Sequence, residues 1–70
     1  MTMLPGIFSA RQREILEAIV LGQTSDIIAA RLGISTDAVN QHINAVRTKL
    51  GASTRREAVA IALQKHLLKI

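Results

Sequence analysis

Apolar residues recur along this chain at helical intervals, and glycines cut the recurrence into segments. Ile15, Leu16, Ile19 and Val20 fall on one stripe of a helix with about 3.6 residues per turn. Ser9 and Gln12 precede that stripe at capping-box spacing, in which the hydroxyl takes a backbone N–H of the first turn and the amide reaches back to the serine N–H. A first helix is therefore predicted from about Ala10 to Leu21, closed by Gly22 in the left-handed conformation that commonly ends helices. Thr24 or Ser25 can cap a short second helix, whose Ile28, Ala29 and Leu32 form an inward face before Gly33 stops it. Only Gly33 to Ser35 separates it from the next helix, so glycine permits a sharp reversal, Ile34 fills the corner and Ser35 caps the third helix.

That third helix is predicted over 36–50, with Val39, Ile43, Val46 and Leu50 on one face at steps of four, three and four. Gly51 ends it, and Thr54 with Glu57 supplies a second capping box. The fourth helix that starts there contains Ala58, Val59, Ile61, Ala62, Leu63, Leu67 and Leu68. Those positions wrap more than one face, which suits either a central place in the core or a strip shared with a second copy. The pattern is all-α: four helices in a domain spanning 8–70, with a helix–tight turn–helix unit at its centre. The leading residues 1–7, which contain Pro5-Gly6 and no periodicity, are expected to be a flexible leader or linker.

Composition narrows the function. Seventy residues make one small domain, in the size range where folding alone is marginal. Hydrophobic residues are 49% of the chain, yet Phe8 is the only aromatic, so stacking of single-stranded bases is a poor fit. No apolar run approaches the roughly 18 residues of a membrane span, and the first residues lack the basic leader and apolar stretch of a signal peptide. A cytoplasmic, nucleoid-associated protein without a membrane partner is expected. There is no cysteine, and His42 and His66 have no ligand-like spacing, so neither metal nor cofactor is expected. Ser9, Ser25, Ser35 and Ser53 lie outside any nucleophile-elbow pattern, and no phosphate-cradling glycine loop is present. An enzyme is not expected. The formal charge is +4, which is consistent with an acidic partner.

Double-stranded DNA fits that partner, because a helix is the width of the major groove. The polar side of the third helix carries Asn40, Gln41, Asn44 and Arg47. Amides present a donor and an acceptor together to adenine, and arginine addresses guanine or a phosphate. Lys49, Arg55 and Arg56 are placed to meet the DNA backbone, while Thr24, Ser25, Ser35 and Thr36, at the helix starts, add hydroxyl or N–H contacts to phosphates. Asp37 suits a positive helix start, but beside DNA it must repel phosphate, pair with an arginine or accept from cytosine. His42, between the two faces, is expected to be packed and hydrogen-bonded.

The stretches "SARQREIL", "IIAARLGIS", "AVNQHINAVRTKLGA" and "TRREAVAIAL", with H-x-x-x-x-x-x-K-L-G from His42 to Gly51, resemble the DNA-binding domain of LuxR-type bacterial transcription regulators. The resemblance runs from Phe8 to about Leu68. It implies a four-helix domain whose third helix enters the major groove and whose fourth contributes to a homodimer on DNA. Ala58, Ile61, Ala62 and Lys65 are the expected dimer residues, and RNA polymerase or a related regulator is a further expected partner. Ile27 stands where that family often has glutamate, Ala38 where it often has threonine, and Asn40 where many members have lysine, so the target sequence does not transfer from relatives. The competing reading is a protein-interaction module that regulates a related full-length factor through mixed dimers of the fourth helix.

Overall fold

Each described helix starts on a hydroxyl side chain and is closed by a left-handed residue just past its last turn. The structure, a computed structural model describing residues 8–68, contains α1 (Ala10–Val20), α2 (Ser25–Leu32), α3 (Thr36–Leu50) and α4 (Arg55–Gln64). Ser9, Thr24, Ser35 and Thr54 are the N-caps, their oxygens accepting from the backbone N–H of Gln12, Ile27, Ala38 and Glu57 at 3.1, 3.3, 3.0 and 3.0 Å. Thr24, and not Ser25, caps α2, so the Ser25 hydroxyl is available for other bonds. At the opposite ends, Gln23, Ile34, Ala52 and Leu67 each donate an N–H to the carbonyl five residues back, on Ala18, Ala29, Arg47 and Ala62. This is the closing bond of the Schellman motif. The left-handed residues are Gly22, Gly33, Gly51 and His66.

His66 corrects the expected length of α4. With φ at 57°, it ends the helix after Gln64 and turns Leu67 and Leu68 back to be buried, so those leucines fill the core from beyond the helix. A second difference concerns the expected capping box at α4. Glu57 Oε1 accepts from Ser53 N–H at 2.6 Å, one residue before the cap, whereas the box at α1 forms in both directions.

The core divides into two clusters. Ile15 and Ala18 of α1, Ile28 and Ala29 of α2, and Val39 and Ile43 of α3 form one, with Ile34 packed against it from the turn. Phe8, Leu16, Val46, Ala58, Ala62, Leu67 and Leu68 form the other. The α3 helix feeds both, packs against each of the other three helices, and so has its apolar stripe buried along its length. Its other side is left to solvent. The expected leader, residues 1–7, lies outside the described residues.

Candidate nucleic-acid interface

The outer side of α3 is a polar face with two shoulders. At about 100° per residue, Asp37, Gln41, Asn44 and Thr48 fall opposite the buried stripe, and all four are exposed. Asn40 and Arg47 are half-buried on the shoulder shared with the starts of α2 and α4. The Ser25 hydroxyl donates to Asn40 Oδ1 at 3.0 Å, and Arg55 Nη2 donates to Ser25 Oγ at 3.0 Å. The first residue of α4 thus reaches the first residue of α2, which in turn holds a side chain of α3. Two helix N-termini, each with the partial positive charge of its unpaired N–H groups, are brought beside the polar face.

Arg47 is also tied down. Its Nη1 donates to the Ser53 carbonyl at 2.9 Å and its Nη2 to Asn44 Oδ1 at 3.0 Å. Since Glu57 holds the Ser53 N–H, Ser53 of the α3–α4 connection is gripped through both its carbonyl and its N–H. Thr48 Oγ1 donates back to the Asn44 carbonyl at 3.0 Å. Gln41, exposed at the centre of the face, is the amide of the row nearest the helix start that has no such tether among the described residues.

The expected phosphate contacts separate by what their hydroxyls are doing. Thr24 and Ser35 accept as caps, which leaves each proton free to be donated. Ser25 and Thr36 have committed theirs, to Asn40 and to Asp26 Oδ1 at 3.0 Å respectively. Arg55 and Arg56 are both exposed and line a shallow groove with Ile19, Val20, Val59 and Leu63. Lys49 stands apart from them: it follows Arg47 by two residues, roughly 200° around the helix, and its Nζ donates to Gln12 Oε1 of α1 at 2.9 Å. His42 is half-buried but makes no hydrogen bond among the described residues, contrary to the expectation for it. Sequence reasoning misses Asp26 and Ser53. The first has no periodic signature, and the second acts through its backbone.

The expected dimer residues do not share a surface. Ala58 and Ala62 are about 1% and 0% exposed, packed inward with Leu16 and Val46, so neither has area to offer a second copy. This corrects their assignment. Ile61, half-buried, and Lys65, exposed, lie on the outside of α4, while Leu63, a large exposed apolar side chain, lies on the other side of the helix with Val59 in the groove beside Arg55 and Arg56. No described helix is long and apolar enough to cross a membrane.

Comparison with known proteins matches residues 6–62 to the family described as bacterial regulatory proteins, luxR family. The chain is 42% identical over 62 residues to the probable transcriptional regulatory protein NarL of Mycobacterium tuberculosis, covering 89% of this chain and 29% of that protein. It is 40% identical over 65 residues to the transcriptional activator protein EchR of Dickeya chrysanthemi, covering 93% of this chain and 26% of EchR. It therefore spans under a third of these relatives' length. Among solved structures, that of the transcription factor GerE superposes with a TM-score of 0.87 at 31% identity, over 91% of this chain and 96% of GerE. The phage VqmA–DPO complex gives 0.85 at 28% identity, over 97% of this chain and 32% of the other.

Proposed function

Because the chain belongs to the luxR family of bacterial regulatory proteins, and folds as that family's four-helix DNA-binding domain, we propose that it binds duplex DNA sequence-specifically with α3 in the major groove. The observation that carries this reading is the exposed polar face of α3 set beside the N-termini of α2 and α4. An anionic backbone is attracted to those helix starts and to Arg55 and Arg56, which leaves the α3 side chains facing base edges. Gln41 and Asn44 are the central base readers, with Asn40 and Arg47 at one edge. Phosphates are met by Thr24 and Ser35, by the first-turn N–H groups at Ser25 and Thr36, by Arg55 and Arg56, and on the α1 side by Lys49.

In this reading the domain acts in the cytoplasm, on the nucleoid, as a homodimer whose copies meet through the outer side of α4 at Ile61 and Lys65. RNA polymerase or a related regulator is the further partner when it acts at a promoter. Selection from a randomised duplex pool, followed by sequencing, tests the proposal. Enrichment of a two-fold symmetric site supports both specificity and pairing, an asymmetric half-site supports specificity without the dimer, and recovery of bulk sequence at moderate salt overturns the reading. On the selected site, Arg56→Ala is expected to weaken all sequences alike and to reduce the salt slope by about one. Gln41→Ala is expected to lose discrimination at one position, by about 1–3 kcal/mol if its contact is bidentate.

A further inference from the structure

We propose that Asn40 meets its base as a hydrogen-bond donor, and that Ser25 and Arg55 are positioning residues that set this choice. The proposal rests on the DNA-reading role of α3 given above. A free asparagine side chain offers Oδ1 and Nδ2 side by side, the arrangement that pairs with adenine N6 and N7. Here the amide is not free. Ser25 has a single hydroxyl proton, and Arg55 can only donate to its oxygen. That proton is therefore directed to Asn40 Oδ1, which it meets at 3.0 Å in a half-buried setting. Asn40 Oδ1 keeps a second lone pair, but one is already spent on Ser25, whereas neither proton of the NH₂ has a partner among the described residues.

The NH₂ group is the part of Asn40 left to lead into the groove. It suits an edge made of acceptors, such as guanine with O6 and N7, and gives up the advantage that a bidentate amide has on adenine. Arg55 uses one N–H of its five on Ser25 and retains the others for a phosphate. A backbone contact at the start of α4 is thereby coupled to the orientation of a base-reading side chain on α3, through one hydroxyl on α2.

The test compares sites selected from a randomised duplex pool by the wild-type chain, Asn40→Ala, Ser25→Ala and Ser25→Thr. Asn40→Ala identifies the position that Asn40 reads, as the one whose preference it flattens. The wild type is expected to favour guanine over adenine there. Ser25→Ala, by releasing the carbonyl, is expected to move that ratio toward adenine by roughly fivefold or more, the lower range for gaining a bidentate contact. Ser25→Thr, which keeps the hydroxyl, should retain the wild-type preference. Should Ser25→Ala fail to fold, Ser25→Cys serves in its place, because a thiol preserves the volume and donates only weakly.

A wild type that already favours adenine at that position overturns the proposal, as does a ratio unmoved by the loss of the hydroxyl. So does an Asn40→Ala variant that flattens no position while the rest of the site is still enriched. In each case the enriched site itself survives, so the DNA-reading role stands. Loss of all enrichment in the wild type overturns that role and this inference with it.

Discussion

Histidine at position 66 occupies a backbone conformation that three glycines hold elsewhere in the same domain. For an L-residue with a Cβ, the left-handed region costs roughly 1–2 kcal/mol relative to the right-handed one. The strain persists here because Leu67 N–H closes on the Ala62 carbonyl at 2.8 Å and both leucines beyond it are buried. His66→Gly is therefore expected to raise the stability by about 0.5–1 kcal/mol, after the greater flexibility of unfolded glycine is subtracted, read as a higher melting temperature. Gly33→Ala is its converse. A Cβ at Gly33 meets nothing within 4 Å, so the expected loss comes from φ, offset by the lower flexibility of the unfolded alanine chain, and is about 0.5–1 kcal/mol, measured by denaturant titration. The same comparison explains what could be read from the chain. Gly22, Gly33 and Gly51 announce their turns by residue type, and the first three helix ends fall within one residue of expectation. His66 carries no such signal, so the apolar pattern alone extends α4 through Leu68.

At the level of elements, α3 has two duties that meet at its first turn. Ser35 caps the helix through Ala38 N–H at 3.0 Å, and in the proposed complex its proton faces a phosphate. The duties separate by substitution. Ser35→Ala is expected to destabilise the fold by about 1 kcal/mol. Ser35→Asp, an equally good cap that also suits the helix dipole, should leave thermal stability near wild type while weakening duplex binding by adding charge beside the DNA backbone. Melting curves and duplex titrations on both variants check this. The α3 face was legible because its stripe and its polar row follow one local period. The bonds that orient the row were not, since Ser25, Asn40 and Arg55 are distant in sequence and only the packing of three helices brings them together. Ala58 and Ala62 misled for a related reason: alanines on a helix fit a close interface within the domain as well as one between copies.

The whole molecule has little stability to spare. A domain of this length typically retains roughly 4–10 kcal/mol, and truncating a buried phenylalanine costs about 3–5 kcal/mol. Phe8→Ala is accordingly expected to lose a large share of that stability and to melt well below the wild type, followed by helical circular dichroism, although Phe8 precedes the first helix and is none of the proposed DNA contacts. Phe8, at one extremity of the described chain, shares a cluster with Leu67 and Leu68 at the other. Neither extremity can then unzip by itself, because releasing one exposes the apolar surface that shelters the other. Amide protons at the beginning of α1 and at the close of α4 should exchange with deuterium as a single cooperative unit, so that a mutation loosening one end is registered at its counterpart more than fifty residues away.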